Sequence, residues 1–278
     1  MKLTLKTIAA VLLLVCWSVA EGQVLKIVSF NIRYNSWNNI DGENGWPYRK
    51  DAVARMIATE RPAAVGLQEA LIDQLEYLDE KLNNYRRIGV GRDDGKTSGE
   101  FMAIYYDTGQ VELVTATTKW LRERPDTPGK GWDAACARTV TIATFRVKES
   151  GKEFVYYNTH LDHVGKTARA ESTKLISSFI RESGQNMAII VGGDMNSTIS
   201  DTIFDSFYME RLEVARNITS QNRSDNRNTY NAYGKGDGAV IDHFFVRGVK
   251  VAWLRTLDGD YGIPYISDHY PIEMTINL

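Results

Sequence analysis

Cysteine, histidine and proline are scarce in this sequence: its 278 residues include two cysteines, four histidines and six prolines. Cys16 lies in an apolar stretch near the N terminus and only Cys136 lies beyond it, so residues 21–278 can form no intramolecular disulfide. No low-complexity tract is present, and the shares of hydrophobic (43%) and charged (24%) residues are typical of a globular protein. We therefore expect a fold that its hydrophobic core stabilises.

A large excess of basic residues is also absent. The 33 lysines and arginines and the 35 acidic residues give a formal net charge of -2 at pH 7. Proteins that bind long duplexes usually carry a basic surface that neutralises the phosphates of the backbone. The composition therefore disfavours a long duplex as a ligand, but it leaves short nucleic acids open.

The first 20 residues follow the pattern of a secretory signal peptide. Lys2 and Lys6 precede an apolar run over residues 8–17, and residues 18–20 include the small side chains that favour cleavage. We expect residues 21–278 to form a single exported domain, either periplasmic or secreted. A membrane anchor is the alternative, but the run is shorter than the roughly 20 residues that span a bilayer.

Cys16 raises a second alternative, the lipidated cysteine of a lipoprotein signal. Such a signal would place a small residue directly before the cysteine, whereas Val15 stands there. We therefore expect cleavage near Ala20, no integral membrane span in the remaining chain, and a monomer.

Strand-like and helix-like segments alternate in the first third of the chain. Residues 24–30 are β-branched and aromatic and predict a strand, and apolar spacing over residues 48–60 predicts a helix. Residues 63–69 predict a second, buried strand, and the leucines of residues 71–82 have helical spacing. This part of the chain therefore has the order β-α-β-α.

The middle of the chain is rich in predicted strands, and helical spacing returns later, over residues 166–183 and 201–210. The later strands are predicted at residues 101–106, 111–120, 138–147, 153–161, 187–194, 239–246, 249–257 and 270–278. Because βα units flank a strand-rich middle, we expect two packed sheets with helices on the outside.

Several predicted strands end on a side chain that binds metal or moves protons. Asn31, Glu69, His160 and Asp194 each follow an apolar strand, and such positions can meet at one edge of a sheet. Each residue alone also has a structural explanation. Asn31 would cap a turn, Glu69 would favour a helix N terminus, and Asp194 would form a turn with Asn196.

Seven strings in order along the chain resemble the endonuclease/exonuclease/phosphatase superfamily, which includes DNase I-like nucleases, deadenylases, inositol-phosphate phosphatases and sphingomyelinases. They extend to residue 272 and are SFNIR, GLQE, SGEFMAIYY, NTHLDH, GGDMNS, IDHFFV and SDHYPI. The strings NTHL and SDH are most similar to those of deadenylase-like and related bacterial members. The resemblance implies a four-layer α/β sandwich, with two mixed β-sheets flanked by helices.

The resemblance also implies a magnesium site, with manganese as a substitute. Glu69, Asp268 and the Asn31 amide would supply the hard oxygen ligands that Mg²⁺ prefers. Asp194 would orient or deprotonate the attacking water, and Asn196 would hold that water or a phosphate oxygen.

The histidines and one arginine complete the implied site. Asp242 would fix the imidazole of His269, which would bind or protonate a phosphate oxygen. Glu100 would orient His160, the second histidine. Arg138 would contact the phosphate with its planar guanidinium, and Asp162 is a secondary candidate that would either reach the metal or cap its loop.

These residues imply a hydrolase of phosphate esters that uses direct attack by water. A phosphodiesterase or nuclease that acts on single-stranded or small substrates is favoured, with a nucleotide or short nucleic acid as partner. Inositol phosphates and phospholipid head groups remain open as substrates. A non-catalytic binding protein is disfavoured, because binding alone would not require the water-orienting residues. Trp37, Trp46, Trp120 and Trp132 would either stack on a substrate or pack between layers.

Overall fold

The computed structural model describes residues 24–38, 40–220, 224–225 and 227–278, and the predicted signal peptide lies outside these residues. The described helices are α1 (Trp46–Glu60), α2 (Ile72–Lys81), α3 (Lys166–Glu182) and α4 (Asp205–Met209). The described strands are β1 (Val24–Asn31), β2 (Ala64–Ala70), β3 (Tyr85–Ile88), β4 (Phe101–Asp107), β5 (Val111–Trp120), β6 (Thr139–Val147), β7 (Glu153–His160), β8 (Ala188–Asp194), β9 (Glu213–Val214), β10 (Asp242–Arg247), β11 (Lys250–Thr256) and β12 (Ile272–Asn277).

The strands form two six-stranded mixed sheets. The first sheet has the order β11-β12-β1-β2-β4-β3, and the second has the order β5-β6-β7-β8-β10-β9. A parallel pair lies at the centre of each sheet: β1 with β2, joined through α1, and β7 with β8, joined through α3. The carboxyl ends of these four strands are therefore the positions at which each sheet can hold a site.

Side-chain alternation along β1 shows how the layers are arranged. Leu25 and Ile27 pack between the two sheets, whereas Val28 and Phe30 pack against the side that α1 and α2 cover. A third cluster of buried residues joins the second sheet to α3 and α4. The order helix, sheet, sheet, helix confirms the predicted four-layer sandwich. None of the helices in the described residues has both the length and the apolar character needed to cross a membrane.

Two details differ from the sequence-based expectations. The short strand β3 was not predicted, because two of its four residues are arginines, but it pairs with β4 at the edge of the first sheet. The segment predicted as a helix over residues 201–210 is a 3₁₀ turn at Thr202–Phe204 followed by the short α4.

Buried polar side chains join the two sheets near their centre. The Tyr156 hydroxyl donates to the Val28 carbonyl oxygen at 2.9 Å. The Asn158 amide donates to the carbonyl oxygen of Leu67 at 2.9 Å, and Gln68 Nε2 donates to Asn158 Oδ1 at 2.6 Å. These contacts lie directly over Gly66, where a Cβ atom would stand 2.5 Å from the Tyr156 hydroxyl oxygen. The close approach of the sheets therefore requires glycine at this position.

We expect Gly66→Ala to lower the free energy of unfolding by about 2 kcal/mol, because overpacking displaces the buried hydrogen bonds. Urea denaturation measures this loss. Gly259→Ala is the matched control, since a Cβ atom there would meet only the Tyr261 ring at an ordinary 3.7 Å. Equal stability of the two variants would contradict the proposed packing constraint.

Candidate active site

The carboxyl ends of the two central strand pairs border one cavity of about 480 Å³. Asn31 and His160 are the last residues of β1 and β7, Asp194 is the last residue of β8, and Glu69 lies next to the end of β2. Eight predicted site residues line this cavity: Glu69, Glu100, Arg138, His160, Asp194, Asn196, Asp268 and His269. The other two, Asn31 and Asp242, are buried and hydrogen bond to members of this group.

Glu69 has the strained backbone that is common at functional positions. Its φ of 61° is unusual for a non-glycine residue, and the pairing of β2 with β4 shifts register between Leu67 and Ala70. The Glu69 carboxylate accepts hydrogen bonds from Asn31 Nδ2 at 3.0 Å and from the Tyr34 N–H at 3.3 Å. The irregular end of β2 thus directs this carboxylate into the cavity.

Asp268 lies on the same side of the cavity as Glu69. Burial raises the pKa of Asp268, and the Glu69 carboxylate raises it further. Two partly buried carboxylates on the wall of one cavity form a donor set that suits a hard divalent cation. The oxygens of Glu69 and Asp194 and a ring nitrogen of His160 also lie within 4.8 Å of one another. The residues present therefore fit a magnesium or manganese ion.

The Asn31 side chain faces these carboxylates with its nitrogen. Its Nδ2 donates to Glu69 and, at 3.0 Å, to Asp194 Oδ2, while its Oδ1 accepts from the Arg33 N–H. In this arrangement Asn31 positions both carboxylates. A direct bond from its oxygen to a metal stays a prediction.

Asp194 is a buried residue that lines the cavity. Burial raises its pKa, and the carboxylate accepts hydrogen bonds from Asn31 and from the Asn196 N–H at 2.9 Å. Asp194 Oδ2 lies 3.4 Å from His160 Nε2 and 3.6 Å from His269 Nε2. Asp194 is therefore a carboxylate held between two imidazoles, a position suited to accept a proton from water.

The two histidines lie in different electrostatic environments. Although burial lowers the pKa of His269, the carboxylates of Asp242 and Asp194 raise it to about 10, and His269 Nδ1 donates to Asp242 Oδ2 at 2.8 Å. Burial lowers the pKa of His160, whose Nε2 accepts from Asn196 Nδ2 at 3.0 Å. The neighbouring carboxylates thus favour the charged form of His269, whereas burial favours the neutral form of His160.

Glu100 has a partner that the sequence did not indicate. Its carboxylate forms a two-point ion pair with Arg92, at 2.6 and 2.8 Å. His160 Nδ1 has no hydrogen-bond partner among the described residues. The structure therefore places Glu100 on Arg92 instead of His160, and its role in orienting that histidine stays a prediction.

Arg138 is held by the loop that follows β7. Its Nε lies 3.2 Å from Asp162 Oδ2, and its Nη2 lies 2.9 Å from His163 Nδ1. Asp162 also accepts from the N–H groups of Ala135, Val164 and Gly165, so it caps this loop, and its alternative role as a metal ligand stays a prediction. Arg138 Nη1 has no partner in the described residues.

Several residues that line the cavity have no role predicted from the sequence. Arg33 and Arg92 are cations of this group, and Tyr34 and Tyr230 are its aromatic members. Arg33 lies within the string SFNIR and Tyr34 directly follows it, which is the signal that could have identified them. Among the tryptophans, Trp46 and Trp120 are buried, whereas Trp37 is 87% exposed.

A four-layer sandwich that gathers carboxylates and histidines at the carboxyl ends of its central strands defines the class of DNase I-like hydrolases. The sequence model of the Endonuclease/Exonuclease/phosphatase family matches residues 28–269 of the chain. The chain belongs to this family.

Two solved structures from Bacteroides are similar to the chain over nearly its whole length. The endonuclease/exonuclease/phosphatase from Bacteroides vulgatus is 34% identical, with a TM-score of 0.86 over 92% of this chain and 99% of that one. The mannosyl-6-phosphatase of Bacteroides thetaiotaomicron is 32% identical, with a TM-score of 0.86 over 91% of this chain and 100% of that one.

D. rerio TDP2, solved with a single-strand DNA product, is 18% identical. Its TM-score is 0.71 over 92% of this chain and 99% of that one. At this identity the likeness concerns the fold alone.

We expect Asp162→Asn to lower the free energy of unfolding by about 2 kcal/mol at pH 7, because the buried carboxylate accepts several hydrogen bonds. Burial raises the pKa of Asp162, but the N–H groups of Gly165, Ala135 and Val164 and the Arg138 charge lower it to a value below that of a free aspartate. This carboxylate therefore stabilises the fold at pH values above the unfolded pKa of about 4, and the stabilisation is lost as the pH falls toward the folded pKa.

The difference between Asp162→Asn and the unchanged protein should thus shrink below about pH 4, which urea denaturation across pH measures. The exposed Asp126 supplies the control Asp126→Asn, whose stability should match the unchanged protein throughout. A deficit of Asp162→Asn that stays constant down to pH 3 would contradict the assignment.

Proposed function

We propose that the protein is a divalent-metal-dependent hydrolase that removes phosphate from a small phosphorylated substrate by direct attack of water. The observation that carries this proposal is the convergence of Asp194 with the charged His269 beside the paired carboxylates of Glu69 and Asp268. Hydrolysis of a phosphate ester by this mechanism uses three elements: a group that accepts a proton from water, a fixed cation, and a site for a metal.

Different residues of the cavity would carry out different parts of the hydrolysis. Asp194 Oδ2 would accept the proton of the attacking water, and Asn196 would hold that water or a phosphate oxygen. His269, fixed by Asp242, would donate a hydrogen bond to a phosphate oxygen as negative charge develops. When Mg²⁺ is bound by Glu69 and Asp268, it would neutralise charge on the phosphate oxygens, and Mn²⁺ would serve the same purpose.

The cavity favours a small polar substrate. Eleven of its fifteen lining residues carry charged, amide or imidazole side chains, and the volume of about 480 Å³ is typical of a site for a small molecule. The 32% identical relative is a mannosyl-6-phosphatase. We therefore place a sugar phosphate first among the substrates.

A phosphodiesterase that acts on single-stranded nucleic acid is the second candidate. Trp37 is 87% exposed and lies three residues beyond Tyr34, which lines the cavity. Exposed indoles can stack on a base or on a sugar ring, and Trp37 is close to the cavity in sequence. Inositol phosphates and phospholipid head groups are substrates that the same chemistry allows.

A substrate panel distinguishes these candidates. Phosphate release from hexose 6-phosphates and inositol phosphates is compared with cleavage of a single-stranded oligonucleotide and of sphingomyelin. We expect hydrolysis to stop when EDTA removes divalent ions and to return with Mg²⁺ or Mn²⁺. Full turnover in the presence of EDTA would refute the metal dependence.

We expect Asp194→Asn and His269→Ala each to lower kcat by at least about a hundredfold, because each removes a group that acts on the reacting phosphate or water. Asp242→Asn should also lower kcat, since it removes the charge that keeps His269 protonated. Steady-state kinetics on the best substrate of the panel measures these losses.

The exposed Asp237 provides the control variant Asp237→Asn, which should keep unchanged turnover. Circular dichroism and melting curves exclude unfolding as the cause of any loss. Wild-type kcat in both Asp194→Asn and His269→Ala would exclude the mechanism.

A further inference from the structure

Arg33 has a backbone conformation that its neighbours hold in place. Its φ is 56°, in the left-handed region that non-glycine residues rarely adopt. The Arg33 N–H donates to Asn31 Oδ1 at 3.0 Å, and its carbonyl oxygen accepts from Arg49 Nη2 at 3.1 Å and from Gln74 Nε2 at 3.0 Å. A strained residue that is fixed from both sides is characteristic of a functional position.

The guanidinium of Arg33 is also fixed. Its Nε and Nη2 each lie 3.2 Å from an oxygen of Asp41, and its Cζ lies 4.5 Å from the centre of the Tyr34 ring. The two-point contact and the aromatic ring define both the position and the plane of this group. The Arg33 guanidinium is therefore held in a single position in the cavity wall.

That place is beside the carboxylates that would bind the metal. Arg33 Nη1 lies 3.8 Å from Glu69 Oε2, and Arg33 Nε lies 3.8 Å from Asp268 Oδ2. These distances are too long for good hydrogen bonds, but they are short enough for strong Coulomb attraction in a partly buried site. The same positive charge would repel a metal ion bound to these oxygens.

We propose that Arg33 is a built-in second cation of the metal site, so that the protein binds one divalent ion where two would otherwise fit. This inference rests on the proposed function, because it takes Glu69 and Asp268 as metal ligands. Enzymes with two metals hold them roughly 3.5–4 Å apart, which places both near the same carboxylates. Here the Arg33 guanidinium, in place of a second metal ion, would neutralise part of the negative charge of these carboxylates.

The charge of Asp41 does not cancel this effect near the metal site. Asp41 contacts Nε and Nη2 of Arg33, whereas Glu69 is approached by Nη1. Asp41 therefore offsets only part of the Arg33 charge, and Nη1 remains directed at Glu69. The direct consequence is a metal affinity that the protein keeps below the value its carboxylates alone would give.

Isothermal titration of Mn²⁺ into the metal-free protein tests the inference, with electron paramagnetic resonance to count bound ions. We expect one ion per chain in the wild-type protein. Arg33→Gln should bind Mn²⁺ at least about fivefold more tightly or take up a second ion, because it removes a charge near the ligands. Arg33→Lys keeps the charge at the same backbone position and should behave like the wild-type protein.

Thermal melting gives a second measurement that does not depend on turnover. Arg33→Gln should melt lower than the wild-type protein without metal, because Glu69 and Asp268 lose a neutralising charge, and it should gain more from added Mn²⁺. Arg87 forms an ion pair with Asp79 and does not line the cavity, so it offers the control Arg87→Gln, which should bind Mn²⁺ as the wild-type protein does.

Equal Mn²⁺ affinity and stoichiometry in Arg33→Gln and the wild-type protein would overturn the inference and leave the proposed hydrolase intact. Weaker binding in Arg33→Gln would also overturn it, since Arg33 would then organise the ligands instead of opposing the ion. If the wild-type protein and Arg33→Gln bind no divalent ion, both the metal-dependent function and this inference are wrong.

Discussion

The hydrogen bonds of Asn31 connect the parts of the candidate site that come from different sheets. Its Nδ2 lies 3.0 Å from Glu69 Oε1 in the first sheet and 3.0 Å from Asp194 Oδ2 in the second. Its carbonyl oxygen accepts from the hydroxyl of Ser267 at 2.7 Å, which fixes the segment that carries Asp268. Because the Asn31 side chain is fully buried, this connection is shielded from competing water.

The same interaction explains why the sheets must pack so closely. The register of β7 and β8 pairs His160 with Asp194, and the register of β8 and β10 pairs Asp194 with Asp242. These pairings bring His160, Asp194 and Asp242 together at the end of the second sheet. Asn31, at the end of β1 in the first sheet, can hydrogen bond to Asp194 only if the two sheets approach each other closely. Gly66 allows this approach, because it leaves room for Tyr156 and Asn158 between the layers.

Collecting several carboxylates in one buried place is unfavourable unless other groups compensate their charge. The compensation here is local, through His269 for Asp242 and Asp194 and through Arg33 for Glu69 and Asp268. Left-handed backbone conformations occur at Arg33, Glu69 and Asn196, all of which line the cavity. Five other non-glycine residues of the described chain also have a positive φ, so backbone strain occurs at these three cavity positions without being confined to them.

Much of the fold could be predicted from the sequence, because its strands are apolar runs that end on polar residues. Residues 24–30 and 187–194 are examples. Asp194, Glu69 and His160 do line one cavity, and Asn31, which directly follows the first run, hydrogen bonds to Glu69 and Asp194. The pairing of Glu100 with Arg92 could not be predicted, since it depends on the path of the loop between β3 and β4. Arg33 lies within the string SFNIR, but its backbone conformation could not be predicted, since no sequence pattern indicates its φ angle.

The three arginines that line the cavity each form an ion pair with an acidic residue. Arg33 is paired with Asp41, Arg92 with Glu100 and Arg138 with Asp162. Each arginine therefore brings its own counter-charge, and the cavity does not need a bound anion to hold its cations in place. A phosphate that enters meets N–H groups whose orientation is already set, so little reorganisation is required when charge develops on its oxygens. This preorganisation favours a compact, highly charged group such as phosphate over a neutral ligand of the same size.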